Sequence, residues 1–214
     1  MEGLIELAKE IKDKELRKKV VEFIKNPELS HKEFKKYPRM KIEEARTLFS
    51  AGSGSPVERE ILNHTIALVE LCKNAADVVS ERYGIPINKD HLIAAALLHD
   101  LMHLFEYKKT AAGIEHTGVL LDHSMLAVAE LYHREFPEQV IHIIASHFGE
   151  TGPTPPRSFE ALIMHYLDAL LSLTEYHLYA AAQAQKQIPV VFLDEEYIKK
   201  LSGEVGEKKD KKTQ

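Results

Sequence analysis

Apolar residues fall at Leu4, Leu7, Ile11, Leu16, Val20 and Ile24 with lysines and glutamates between them, which is helical spacing over residues 4–24. Asn26-Pro27 ends that pattern. Ser30-His31-Lys32-Glu33 has the form of a capping box, so a short second helix is expected before Pro38. Residues 42–49 read as a further short helix, broken by Ala51-Gly52-Ser53-Gly54. Ser55-Pro56-Val57-Glu58 then supplies an N-cap, a proline in the first turn and an acid at the third position. The helix it opens is expected to run to Tyr83, with Gly84 as its C-cap.

The second half continues in the same way. A helix is expected from about Asn88 through an Ala-Leu-Ile run to Phe105, then a polar loop over 106–118. Helices follow over 121–135 and from Pro137 to Gly149. Gly152-Pro153-Thr154-Pro155-Pro156 is a rigid loop, and Ser158 caps a long helix to about Gln185. Residues 190–193 suit a short strand, 195–201 a last helix, and the Lys/Glu-rich end a disordered tail. The expected fold class is all-α: an N-terminal helical extension (1–50), one helical domain (55–188), a C-terminal segment (189–203) and a tail (204–214).

Composition narrows the function classes. One cysteine in 214 residues, Cys72, forbids an intramolecular disulfide and points to a reducing, cytoplasmic compartment. The start of the chain lacks the charge and apolar run of a signal peptide, and no apolar stretch is long enough to span a bilayer. A net charge of −5 argues against an extended nucleic-acid footprint but leaves room for a small phosphorylated substrate. Twelve histidines beside no tryptophan is the feature to follow.

The strongest local signal is His99-Asp100, at the end of a helix that is otherwise Ala, Leu and Ile. An unpaired carboxylate and imidazole there cost several kcal/mol unless compensated, and a divalent cation compensates both. Taken alone, the pair also fits a helix-end aspartate bonded to backbone. It is not alone. Asp168 interrupts a second apolar helix, and His64, His123 and His147 each adjoin another apolar run. A shared metal site explains them together better than five separate accidents.

The ordered set His64, His99-Asp100, His123, His147, Asp168 resembles the HD superfamily of metal-dependent phosphohydrolases. Within it, Ala95-Ala96-Leu97-Leu98-His99-Asp100, Ser146-His147-Phe148-Gly149 and residues 160–168 resemble the HD domains of YhaM-type 3′→5′ exoribonucleases. They equally resemble archaeal relatives that include a dihydroneopterin 2′,3′-cyclic phosphate phosphodiesterase. The resemblance covers residues 11–175 and implies an HD-domain helical bundle. It also implies that His64, His99, Asp100 and Asp168 hold one metal, with Asp100 bridging to a second held by His123 and His147. Such mixed ligands suit Fe(II) or Mn(II) first, then Co, Ni or Zn.

Three departures matter. The family's His-Asp-Ile-Gly-Lys is here His99-Asp100-Leu101-Met102-His103, which places a histidine where a lysine would face phosphate. The segment before His64 lacks the family's usual His-His-Ala-Tyr and Gly-Gly, and the RNA-binding domain of the exoribonucleases has no counterpart here. The resemblance therefore implies a metal-activated water attacking phosphorus in a small or cyclic nucleotide-like diester. Short RNA is a lesser substrate reading. His103 is a candidate proton donor or phosphate ligand, with a solvent-facing or capping residue as its plain alternative. His116 is a candidate substrate contact from an overhanging loop, and Arg157 a candidate phosphate clamp that the plain reading leaves solvated. His165 is expected to support a ligand or the core. An HD-fold di-iron oxygenase, a 5′-nucleotidase-type phosphomonoesterase and a non-catalytic HD binding module are the alternatives, and the amphipathic N-terminal helix leaves a homodimer open.

Overall fold

The structure is a computed structural model that describes residues 1–50, 54–111 and 113–187. Its helices are α1 (Glu2–Ala8), α2 (Lys14–Lys25), α3 (Ile61–Tyr83), α4 (Lys89–Leu98), α5 (His103–Glu106), α6 (His123–His133), α7 (Glu138–Ala145) and α8 (Phe159–Gln187). Two short antiparallel hairpins accompany them, β1 (Arg46–Phe49) with β2 (Val57–Glu60), and β3 (Tyr107–Thr110) with β4 (Gly113–His116). The first compact unit is Met1–Tyr179; a second begins at Ala180, and its described residues are the last turns of α8. Among the described residues no helix is long and apolar enough to cross a membrane.

The helix ends follow the local chemistry. Asp13 caps α2 by accepting from the amides of Glu15 and Leu16, Asn88 caps α4 through the amide of His91, and Asp122 caps α6 through that of Met125. Gly84 ends α3 in the left-handed conformation that a side chain would disfavour. Seven consecutive residues of α4, Leu92 to Leu98, are buried, so this helix is apolar all round and forms the centre of the core. α3, α7 and α2 pack against it.

The N-terminal extension packs as part of the core. Leu4, Ala8, Ile11, Leu16, Val20, Phe23 and Ile24 are buried in the same apolar cluster as α3 and α4. Polar ties reinforce the contact. Asp90 accepts from the amides of Lys12 and Asp13 at 3.0 and 2.8 Å, and buried Glu130 accepts from Ser30 N and Oγ at 2.6 and 2.7 Å.

Four expected elements differ, and a purely helical fold becomes a helical one with hairpins. Residues 46–49, expected at the end of a helix, form β1, because Arg46-Thr47-Leu48-Phe49 pairs residue by residue with Val57–Glu60. Residues 57–60, expected in the first turn of α3, form β2: Val57 and Arg59 point inward and Glu58 outward, a period of two. The expected loop 106–118 contains the hairpin β3–β4. The capping box near Ser30 opens only a 3₁₀ turn, Lys32–Phe34. The strand, helix and tail expected beyond residue 189 lie outside the described residues.

Candidate metal centre

Five helices or their ends deliver the six expected ligands to one place. His64 comes from α3, His99 and Asp100 from the end of α4, His123 from the start of α6, His147 from just beyond α7, and Asp168 from α8. Donor atoms of His64, His99 and Asp168 lie within 4.8 Å of one another, and so do those of Asp100, His123 and His147. Asp100 stands between the groups. Its Oδ2 is 3.7 Å from His64 Nε2, while its Oδ1 is 3.3 Å from His99 Nε2 and 3.4 Å from His123 Nε2. All of these side chains are buried except Asp168, which is partly so.

The donors are oriented for a cation. His99 and His147 donate from Nδ1 to the carbonyls of Ala96 and Ile144, at 2.9 and 2.7 Å, which turns each Nε2 toward Asp100 as a free acceptor. His64 Nδ1 meets Glu175 Oε2 at 3.0 Å. That is the carboxylate–imidazole pairing that fixes a metal-ligating histidine. The Nε2 atoms of His64 and His99 are buried without a hydrogen-bond partner, although Asp168 Oδ1 lies 3.1 Å from that of His64. Left unpaired, a buried atom such as His99 Nε2 costs about 1–3 kcal/mol, which a cation among these donors removes. The donor set is imidazole nitrogen and carboxylate oxygen, and it fits a divalent transition metal.

Charge in the cluster is partitioned sharply. Burial favours a neutral Asp100, but His99, His103 and Arg59 hold its carboxyl well below the usual range. Burial likewise opposes the charge of His64, yet Asp168 and Glu175 outweigh it and push the pKa up to about 9. His147 is the reverse case: burial pulls it down to about 4 and leaves it neutral, as a metal ligand must be.

Of the six, Asp100, His123, His147 and Asp168 floor a cavity of about 420 Å³ whose walls include Thr47, Phe49, Arg59, Phe148, Glu150, His165 and Ser172, while His64 and His99 lie buried behind them. His103 reaches it: the ring stacks on His123 at 3.6 Å, and Nδ1 donates to Glu106 Oε2. Burial and His123 hold His103 down at about 4, so it is neutral with Nε2 bare. Its solvent-facing reading is thereby set aside. His165 Nδ1 donates to the carbonyl of His147 at 2.7 Å, a supporting contact. The other two expected substrate contacts stay away from the cavity. His116 is exposed on β4, where its Nδ1 accepts from Gly118 N, because the segment folds down as a hairpin. Arg157 is exposed, and its amide donates to His142 Nε2 at 3.0 Å.

Three participants escaped sequence reasoning: Arg59, Glu106 and Glu175. Glu106 receives the His103 bond and the His123 amide at 2.6 Å. Its signal was a carboxylate three residues after His103 in an apolar run. Glu175 stands seven residues, two helical turns, after Asp168 and so on the same face. Arg59 was hidden by reading β2 as helix.

Comparison with known proteins agrees with this geometry. The chain is 46% identical over 170 residues to the dihydroneopterin 2′,3′-cyclic phosphate phosphodiesterase of Methanocaldococcus jannaschii, covering 78% of this chain and 67% of that one. It is 32% identical over 121 residues to the 3′-5′ exoribonuclease YhaM of Bacillus subtilis and 29% over 119 residues to that of Geobacillus sp.. Those matches cover half of this chain but only 36% and 35% of the exoribonucleases. No solved structure matches. The HD domain family model matches residues 61–173, from the first turn of α3 to beyond Asp168, and the chain belongs to the HD domain family.

Proposed function

We propose that this protein is a metal-dependent phosphodiesterase that opens a small cyclic phosphodiester, with residues 55–188 as its catalytic domain and the cytoplasm as its compartment. The observation that carries the reading is the convergence of six imidazole and carboxylate side chains, with Asp100, His123, His147 and Asp168 lining a small cavity and His64 and His99 buried directly behind them. The ligand grouping is His64, His99, Asp100 and Asp168 for one ion, and Asp100, His123 and His147 for a second, with Fe(II) or Mn(II) as the preferred metals. When bound, such ions supply an acidified water and neutralise charge developing on the phosphoryl oxygens. The protein's own groups do the rest. His103, with Nδ1–H committed to Glu106, presents Nε2 as an acceptor for a proton from the attacking water or a substrate hydroxyl. That is the opposite direction from the donor role its position first suggested. Phe148, 39% exposed beside His123 and His147, offers an apolar face to a ring-bearing substrate. The volume favours a single nucleotide-sized ligand over a polymer, and the similarity to a cyclic phosphate phosphodiesterase supports the same choice.

The test is hydrolysis of a 2′,3′-cyclic nucleotide, bis-p-nitrophenyl phosphate and p-nitrophenyl phosphate, anaerobically with Fe(II) or Mn(II). Asp100→Ala is the control. Diester cleavage that falls at least 10³-fold in Asp100→Ala is expected, since that carboxylate is the proposed bridge. Preference for the monoester would overturn the diester reading. Turnover of short RNA in place of the cyclic nucleotide would move the protein toward the exoribonucleases.

A further inference from the structure

One charged side chain in the centre is left over once ligands and cavity are assigned. Arg59 sits on β2, paired in register with Thr47, and is only 6% exposed. Its Nη2 donates to Asp100 Oδ2 at 3.0 Å. Its Nη1 donates to Ser172 Oγ at 2.9 Å and lies 3.3 Å from His64 Nδ1 and 3.6 Å from Glu175 Oε2. Ser172 and Glu175 reach onward to other ligands. Ser172 Oγ donates to Asp168 Oδ1 at 3.3 Å, and Glu175 Oε2 accepts from His64 Nδ1 at 3.0 Å. The guanidinium itself rests 4.7 Å over the Phe49 ring, so the adjoining strand fixes its plane.

We propose that Arg59 is the positioning residue of the metal centre, a forked clamp that holds Asp100 directly, Asp168 through Ser172, and His64 both by its own contact at Nδ1 and through Glu175. The proposal rests on the metal-centre reading given above. Its physical basis is the geometry of a bridging carboxylate. Left alone, Asp100 can rotate its carboxyl group and offer either oxygen to either side. With Oδ2 tied to Arg59, Oδ1 is turned to the His99, His103 and His123 side, where its Nε2 neighbours lie at 3.3 to 3.6 Å. A planar guanidinium aims donors from two separate nitrogens in fixed directions, whereas the three donors of an ammonium radiate from a single nitrogen that cannot sit at both the Asp100 and the Ser172 positions. Two simpler roles compete. If Arg59 served only as a positive charge among carboxylates, lysine would replace it. If it served only to grip substrate phosphate, its loss would leave metal binding untouched.

Mn(II) binding by the full chain, followed through the electron paramagnetic resonance signal of free Mn(II) without substrate, separates these roles. Arg59→Lys, Arg59→Met, Ser172→Ala and Asp100→Ala are compared with the unmodified protein, with a thermal melt confirming that each is folded. Clamping predicts at least about tenfold weaker Mn(II) binding in Arg59→Lys, in line with the cost of losing other groups that orient metal ligands. Ser172→Ala is expected to weaken binding less, and to add little on top of Arg59→Lys because both cut the same arm. Mn(II) affinity within twofold of the unmodified protein in Arg59→Lys overturns the clamp. So does tighter binding in Arg59→Met, which is the signature of a charge alone. Should Arg59→Met fail to fold, Arg59→Lys and Ser172→Ala still decide. Asp100→Ala keeps the two readings apart: undiminished binding there overturns the metal centre itself, whereas loss there with normal Arg59→Lys overturns only the clamp.

Discussion

His64 joins the chemistry of the centre to pH. Its pKa stands at about 9 because Asp168 and Glu175 face its two nitrogens, and a metal must displace that proton to bind. Below about pH 9, affinity is therefore expected to rise up to about tenfold per pH unit, and to level off above it. Stability of the metal-free protein runs the other way. A raised histidine pKa contributes stability that is complete below the unfolded value near 6.5 and lost as pH climbs through about 9. Isothermal titration of Mn(II) from pH 6.5 to 9.5, in buffers of differing ionisation enthalpy, checks the first expectation by counting released protons. A pH-independent affinity with no proton release would show that His64 is neutral in the free protein. The lowered His103 has a matching consequence. As a neutral acceptor it becomes useless only when protonated near pH 4, so its His103→Ala variant loses turnover without losing metal.

The turn after α7 shows how an element serves the site. His147 leaves the helix, Phe148 follows, and Gly149 adopts φ +58, a region unfavourable to L side chains. A Cβ on Gly149 would stand 2.3 Å from the His165 ring, the same ring that donates to the His147 carbonyl. Gly149→Ala is thus expected to displace His165, cost about 1–3 kcal/mol for strain and the broken contact, and loosen His147. A thermal melt paired with Mn(II) titration checks this, and a variant unchanged in both would dissociate the turn from the centre. The hairpins carry the opposite lesson. β1 and β2 bring Thr47 and Arg59 to the cavity wall, yet Ser55-Pro56-Val57-Glu58 fits a helix start as well as a strand entry. Only the partner strand decides between them, and a strand pairing is invisible in either segment read alone.

The N-terminal helices belong to the stability of the entire first unit. α1, α2 and the turn between them cover α3 and α4 with seven fully or nearly fully buried apolar residues, Leu4, Ala8, Ile11, Leu16, Val20, Phe23 and Ile24. At roughly 1.5–3 kcal/mol for each large side chain buried, their loss exceeds the net stability of most domains. Deleting residues 1–25 is therefore expected to yield insoluble or molten protein even though every proposed metal ligand is retained. Circular dichroism and a cooperative melt check that; a truncated chain that melts cooperatively near the full-length temperature would make the extension dispensable.

Helix periodicity, the caps Gly84 and Ser158, and the ordered His and Asp positions were legible along the chain because each is set within one turn or by a short motif, whereas the capping signals at Ser30 and Ser55 open a 3₁₀ turn and a strand instead. The apolar run of α4 could be read as core, and His99-Asp100 as its chemical exception, since burying those groups has a cost whatever the surroundings. Which nitrogen of each histidine faces a neighbour, that His116 and Arg157 miss the cavity, that Arg59 reaches it, and that Glu106 and Glu175 bind histidines of the site were decided only by tertiary packing. The reason is physical. Ligand type is a property of the residue, whereas orientation, proton placement and hydrogen-bond partnership arise between side chains as much as 113 positions apart in sequence, as Arg59 and Ser172 are.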